Sequence, residues 1–324
     1  MCKPGGIRMG QKQCSVVVIQ YNPIWEKVKA TLNSILAQQG CEYEIIVADD
    51  GSKSPCFEQI EAYFAECGFQ DYRIVANKKN GGTVKNVISG IREAKGKYVR
   101  VIAPGDMLYA DHTLKHIVEF MEERQAKEMF GRLAFYEPTE EGITVVPLQR
   151  PFSLEPYRNK DIKNITKQLF LNGDNISGAS YTWEREYYLE CLERIEGKVT
   201  FLEDCASAYT LLDGHEICFL DEFVTWYEHG TGISTSKQQK WNKILIQDWI
   251  SFYQEAEERY PKNRMIKKAK RYYEMCQKGV VINKFVKNML FAERFLFGKK
   301  VQGKQFEQEY KCVEQKHAEK YLGM

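Results

Sequence analysis

Carboxylates cluster at three points of this 324-residue chain where small or turn-forming residues flank them. They are Asp49-Asp50-Gly51-Ser52, Pro104-Gly105-Asp106 and Glu203-Asp204, and a further run, Tyr227 to Ser234, sets glycines around His229. A carboxylate accepts hydrogen bonds, ligates hard cations and takes up protons, so each cluster has a possible chemistry. Each also has an ordinary alternative. Asp, Gly and Ser favour turns and caps, Pro-Gly-Asp suits a turn, and acids at a helix start complement its dipole. Asn80-Gly81-Gly82-Thr83 adds a glycine pair whose backbone N–H groups, ahead of a helix, suit phosphate. Lys85 follows it and either approaches that phosphate or is a solvated helix lysine. Gln20 and Tyr21 end the first apolar run, offering a polar contact and a flat ring. Trp183, within GASYTWE, either stacks on a sugar ring or belongs to the core. His229 either reaches phosphate or metal or is structural. His112 and His116 have metal-ligand spacing on a helix, but without the flanking glutamate they describe an exposed face.

The elements that must position these residues alternate. Cys14–Gln20, CSVVVIQ, is a continuous apolar run, as in a strand buried on both faces. Asn22-Pro23 caps a helix that carries Ile24, Val28, Leu32, Ile35 and Leu36. Strands follow at 44–48, 72–76 and 98–102. Between and after them come helices opened by Ser54-Pro55, centred on Val84–Ile91, and running through Leu114–Met121. This alternation predicts a doubly wound, mostly parallel α/β sheet, in which ligands meet the carboxyl ends of the strands. Those ends carry Gln20-Tyr21-Asn22, Asp49-Asp50, Asn77 to Gly82 and Ala103 to Asp106. Beyond Tyr136 the pattern mixes. Strands are expected at 143–147, 179–183, 216–220 and 224–228, and a helix at 203–212. Trp241, Leu245, Trp249 and Phe252 then share one helical stripe, and further helices are expected at 265–277, 281–297 and 303–321.

Several classes are absent from the sequence. No GxGxxG follows the first strand, no GxxxxGK[ST] occurs, and no GxSxG elbow occurs. What is present resembles the inverting glycosyltransferase family 2 with its GT-A fold. The resemblance lies in SVVVIQYNPIWEKVKATLNSILAQQGCEYEIIVADDGS, NKKNGGTVKNVISGIREAKGKYVRVIAPGDML, FLEDCASAYTLL and YEHGTGIST, in that order, from about Cys14 to Thr235. It implies a nucleotide-diphospho-sugar donor, a UDP-sugar being favoured. Asp50 would accept from the imide N–H of uracil, with Gln20 and Tyr21 beside the base and Lys85 near the diphosphate. Asp106 would hold Mn²⁺ or Mg²⁺, with His229 as a further candidate for phosphate or metal. Gly105 stands where the family has the first acidic residue of that pair, on the donor side of the site. Asp204 would be the general base, while Glu203 binds acceptor or orients the helix, and Trp183 lies where the family builds the acceptor wall. The acceptor would be a glycan or a lipid-linked hydroxyl, as in cell-surface polysaccharide synthesis.

Composition sets the frame. Hydrophobic residues make up 44% and charged residues 28%, as in a globular protein; the formal net charge of +2 argues neither for nor against nucleic acid, and no nucleic-acid partner is expected because no aromatic-basic module is recognisable. Of 46 Lys+Arg and 44 Asp+Glu, 20 and 10 lie from Ser236 onward, so the C-terminal segment is basic while the remainder is acidic. Its mixture of Lys284, Lys287 and Arg294 with Phe285, Met289, Leu290 and Phe295 is either a solvated helical appendage or an interfacial helix for anionic lipid. The 10 cysteines show no CxxC spacing and suit buried thiols in a reducing compartment. The start MCKPGGIRMGQKQ lacks an apolar core, and no run is long enough to span a bilayer, so the expected location is cytoplasmic. The expected organisation is a flexible tail at 1–13, a catalytic domain at 14–235 and a basic helical region at 236–324. Two rivals follow from the same residues. One is a nucleotidyltransferase, disfavoured because QYNPIWE replaces its glycine-rich basic loop. The other is a non-catalytic sugar-nucleotide or partner-binding protein, kept open by the reduced Pro-Gly-Asp motif.

Overall fold

The computed structural model describes residues 12–140, 142–232, 239–277, 288–302, 304, 306 and 310–324. Strands β1 (Cys14–Gln20), β2 (Tyr43–Asp49), β3 (Tyr72–Ala76) and β4 (Tyr98–Ile102) pair in parallel in the order β3-β2-β1-β4. The sheet continues past β4 through β8 (Tyr181–Glu184), β6 (Glu128–Thr139), β9 (Ile217–Glu228) and β5 (Met107–Leu108). There the ladders are mostly antiparallel, though β6 and β9 run parallel, and β7 (Gly142–Val146) is an edge partner of β6. The fold is thus an α/β sheet of GT-A type with C-terminal helices.

The unbroken apolar runs have the expected cause. Val16 and Val18 of β1 face one layer, with α1 (Trp25–Leu36), α2 (Phe57–Glu66) and α4 (Thr113–Arg124). Val17 faces the other, with α3 (Thr83–Glu93) and α7 (Arg185–Ile195). Each such valine is fully buried, worth about 1.5–3 kcal/mol apiece. Helices α9 (Gln239–Arg259) and α10 (Arg264–Gln277) join that second layer through Phe252, Tyr253, Ile266 and Tyr273. The basic region is therefore partly core. A terminal helix, Lys316–Leu322, docks on α1, where Asn33 Nδ2 donates to the Tyr321 carbonyl at 2.7 Å.

Several boundaries differ from the sequence reading. Asn22 adopts positive φ and α1 begins at Trp25, because the Asn22 side chain accepts from Lys53 N at 3.1 Å and ties two loops together. Cys56 takes the left-handed conformation, so α2 starts at Phe57 rather than at Ser54-Pro55. The expected strands at 216–220 and 224–228 are one long strand, β9, whose exposed Asp221 and Glu222 interrupt the apolar pattern beside a register shift against β6. β6 itself was hidden by Glu128 and Arg132 within an otherwise apolar run. The expected helix at 203–212 is a 3₁₀ turn, Glu203–Ala206, leading into α8 (Ser207–Leu212). The expected helix at 281–297 falls partly outside the described residues; a helix does run at Ala292–Val301. That expected at 303–321 likewise falls partly outside them, and among the described ones only Lys316–Leu322 is helical. Residues 1–11 of the expected tail also lie outside them.

Nine described cysteines are free thiols, of which Cys14, Cys191, Cys205 and Cys218 are buried. Among the described residues no helix is long and apolar enough to cross a membrane.

Candidate active site

A cleft of about 490 Å³ opens at the carboxyl ends of β1 and β4. Its walls include Gln20, Tyr21, Asp106, Glu203, Asp204 and Glu228. Residues far apart in sequence thus converge where the sheet reverses from parallel to antiparallel.

At one end, Gln20 is buried and donates to the Pro55 carbonyl at 2.7 Å and to Asp49 Oδ2 at 3.2 Å. Its Oε1 is buried with no partner in the protein. Tyr21 is 51% exposed, so its ring is available to a ligand. Asp49 shapes the turn after β2 by accepting from Ser52 N and Ser52 Oγ at 2.7 and 2.6 Å.

Asp50 stands in a different place from the one expected. It is 3% exposed, is not part of the cleft wall, and accepts from Asn77 Nδ2 at 3.0 Å, Gly81 N at 2.9 Å and Gly82 N at 2.7 Å. Most of its acceptor sites are taken up by Asn77 and the glycine pair. The same bonds consume the N–H groups of Gly81 and Gly82 that the sequence offered to phosphate. Gly82, at φ +89°, has no room for a side chain, since a Cβ would lie 2.5 Å from the Thr200 carbonyl oxygen. Lys85 is exposed, lies over Gly81 and is outside the cleft wall.

At the centre, Asp106 is almost fully buried, and its Oδ1 accepts from Glu228 N at 3.0 Å. Burial, and next to it the charge of Glu228, push its carboxyl up to about 7. Gly105 is buried behind it, with its carbonyl taken by Tyr136 Oη at 2.5 Å. Gly105 therefore frames the site without lining it. Glu228 lies beside Asp106 and accepts from Lys27 Nζ at 2.6 and 2.7 Å. Neither Glu228 nor Lys27 was singled out in the sequence. The available signals were a lysine one turn into α1 and an acid next to His229. His229 itself turns away, with Nδ1 2.8 Å from Glu137 Oε1 and its ring edge on Phe135. His229 is therefore not among the residues that line the cleft. His116 pairs with Glu222 at 3.0 Å.

At the other end, Glu203 and Asp204 occupy the 3₁₀ turn before α8. Both carboxyls are held above the ordinary range, mainly by burial, and Glu203 further by the charge of Asp204. Asp204 Oδ1 is buried and has no partner in the protein. The turn is braced from behind by Asp248 of α9, which accepts from Thr200 N at 3.1 Å and Phe201 N at 2.7 Å. The adjoining wall, Gly178–Ser180, which packs against the Glu203 carboxylate, is pinned by Arg100 from within β4. This fully buried guanidinium donates to the Tyr181 and Ala179 carbonyls, both at 2.7 Å. A lone arginine inside YVRVI was the sequence's signal for it. Trp183 is not on that wall. It is 1% exposed and stacks on Tyr188 at 4.6 Å with an 8° interplanar angle, so it is core.

Residues 15–177 match glycosyl transferase family 2, and the chain belongs to that family. An uncharacterized glycosyltransferase of Rickettsia conorii is 30% identical over 135 residues, covering 41% of this chain and 21% of the relative. One from Rickettsia felis is 31% identical over 129 residues, covering 40% and 20%. The chain thus matches about a fifth of the length of these curated relatives. Among solved structures, the mannosyltransferase PcManGT from Pyrobaculum calidifontis, in complex with GDP-Man and Mn²⁺, superposes with a TM-score of 0.55 at 13% identity, over 97% of this chain and 86% of that one. S. aureus TarS residues 1–349, in complex with UDP-GlcNAc, gives 0.53 at 16% identity, over 91% and 77%. Likeness at this identity establishes the shared fold.

Proposed function

We propose that this chain is an inverting glycosyltransferase that moves a sugar from a nucleotide-diphospho-sugar, a UDP-sugar being favoured, onto a hydroxyl of a glycan or lipid-linked acceptor. The observation that carries the reading is the cleft itself. It sets the polar and aromatic end, Gln20 and Tyr21, and the central Asp106 in one cleft with Asp204, a half-buried carboxylate whose Oδ1 has no partner in the protein. In the reaction, Asp204 takes the proton of the acceptor hydroxyl as that oxygen attacks the anomeric carbon from the face opposite the diphosphate. The bond from that carbon to the diphosphate oxygen breaks, so the configuration inverts. Burial suits Asp204 to this task, because a raised carboxyl is a stronger base once ionised.

A hard divalent cation finds one carboxylate suited to it, Asp106, since Glu228 is held by Lys27. Among the described residues no group of three or more His, Cys, Asp or Glu side chains could hold a metal alone, so diphosphate oxygens and water would complete the shell. Such an ion, Mn²⁺ or Mg²⁺, would offset charge on the leaving diphosphate. The GDP-Man and Mn²⁺ held by the Pyrobaculum enzyme, and the UDP-GlcNAc held by TarS, support this donor class.

The test is a panel of UDP-, GDP- and dTDP-sugars with Mn²⁺ or Mg²⁺, followed by donor hydrolysis and thermal shift. One donor should stabilise and be hydrolysed, and Asp204→Asn should abolish turnover while leaving nucleotide affinity unchanged. Full turnover in that variant would remove Asp204 from the mechanism. Binding without turnover, with every acceptor class tried, would favour the non-catalytic binding protein instead.

A second surface supports peripheral membrane contact at the inner face, in keeping with the proposed cytoplasmic location. Met289, Leu290, Phe295 and Leu296 are exposed on the segment that also bears Lys299 and Lys300. Lys284, Phe285 and Lys287 lie outside the described residues. Co-sedimentation with anionic vesicles, lost in Leu290→Glu/Leu296→Glu, is the outcome this contact requires.

A further inference from the structure

The proposed donor carries a diphosphate, yet the cleft is acidic. Asp106, Glu203, Asp204 and Glu228 all line it, and among the described residues that do so Lys27 is the one cation. We infer that Lys27 binds the donor's diphosphate, held in place by Glu228, which fills the space left by the missing side chain at Gly105. The inference rests on the donor reading above and adds to it the residue that neutralises the phosphates.

The geometry is specific. Gly105 has φ +100°, and a Cβ built there would lie 2.3 Å from Glu228 Oε2 and 3.5 Å from Lys27 Cδ. The Glu228 carboxylate therefore occupies the volume that any side chain at position 105 would enter. It is 6% exposed and anchored through its own N–H to Asp106 Oδ1, so it is a fixed post. The Lys27 ammonium bonds both of its oxygens, while the lysine side chain keeps 31% of its surface open. A tethered ammonium with an open flank is pre-placed for a phosphate and loses little conformational freedom on binding it. The alternative cations are worse placed. Lys85 is exposed and outside the cleft wall, and the Gly81 and Gly82 N–H groups are bonded to Asp50.

Calorimetry of the full chain with UDP and GDP, each against its own nucleoside, reads the diphosphate contribution directly. It is run in EDTA and again with Mn²⁺. In EDTA, Lys27→Met should weaken diphosphate binding by about tenfold or more while the nucleoside affinity stays unchanged, the loss expected for a hydrogen bond to a charged group. Lys27→Arg should restore most of it, and Lys85→Met should leave it intact. The unchanged nucleoside also reports that the variant is folded. A Lys27→Met protein that keeps the wild-type preference for diphosphate over nucleoside overturns the inference, as does a Lys85→Met protein that loses it. Wild type that binds no nucleoside diphosphate under either condition overturns the donor reading and this inference together.

Discussion

Asp204 and Trp183 show how burial decides a residue's chemistry. Asp204 has its carboxyl pushed upward by burial, and in the proposed role of base it acts only when ionised. The rate should therefore fall as pH drops, with the fall setting in at higher pH than an ordinary carboxylate near 4 would give. A pH profile of kcat/KM that stays flat down to about pH 5 would contradict that assignment. The limb belongs to the Glu203–Asp204 pair rather than to one residue. Trp183 has the residue type of a sugar platform and the burial of a core aromatic. Trp183→Ala should cost about 3–5 kcal/mol in chemical denaturation, whereas Trp183→Phe should leave the acceptor KM unchanged. Residue type alone does not separate these roles, because YTWE has the same letters whether its face meets solvent or Tyr188. The same holds for His229 and Asp50. Their identities were legible, but the direction each side chain takes depends on Glu137 and on the Gly81–Gly82 loop, which no local pattern announces.

Elements were legible where one period dominates. β1 and the stripe of α3 have their limits written in apolar residues, and β3 and β4 remain legible although each carries one arginine, Arg73 and Arg100, within its apolar run. β6 is less legible. Glu128 opens it, fully buried, accepting from Ser207 Oγ at 2.5 Å and from Thr210 Oγ1. Burial raises its carboxyl to about 8, against the pull of those two hydrogen bonds. The folded chain thus keeps a proton that the unfolded chain releases near pH 4.3, so this residue's contribution is fully present below that pH and is lost as pH rises to about 8. Glu128→Gln carries a permanent stand-in for the protonated form. Its Tm should gain on wild type as buffers move from about pH 5 to about pH 8.5, and a constant difference across that range would show Glu128 ionised throughout.

At the scale of the whole molecule, helices α9 and α10 pack into the same body as the sheet. α9 packs into the same apolar layer as β1, and its Leu245 lines the cleft. Removing the Asp248 carboxylate, as Asp248→Ala, leaves the Thr200 and Phe201 N–H groups without their acceptor at the turn that aims Asp204. Turnover should drop by about tenfold or more with nucleotide affinity nearly unchanged, measured by initial rates beside calorimetry. The charge asymmetry of the sequence suggested a separate appendage because composition records surface, and the apolar stripe of α9 is the part that meets the core. That bracing has a consequence for how the protein is made. The strands that carry Gln20, Tyr21 and Asp106 leave the ribosome first, but the turn bearing Asp204 is fixed only after residue 248 has followed. On the proposed mechanism, a nascent or prematurely ended chain therefore holds the strands that face the nucleotide without either of the groups that act on it fixed in place, since Glu228, which holds Lys27, and Asp248, which braces the Asp204 turn, are both added late.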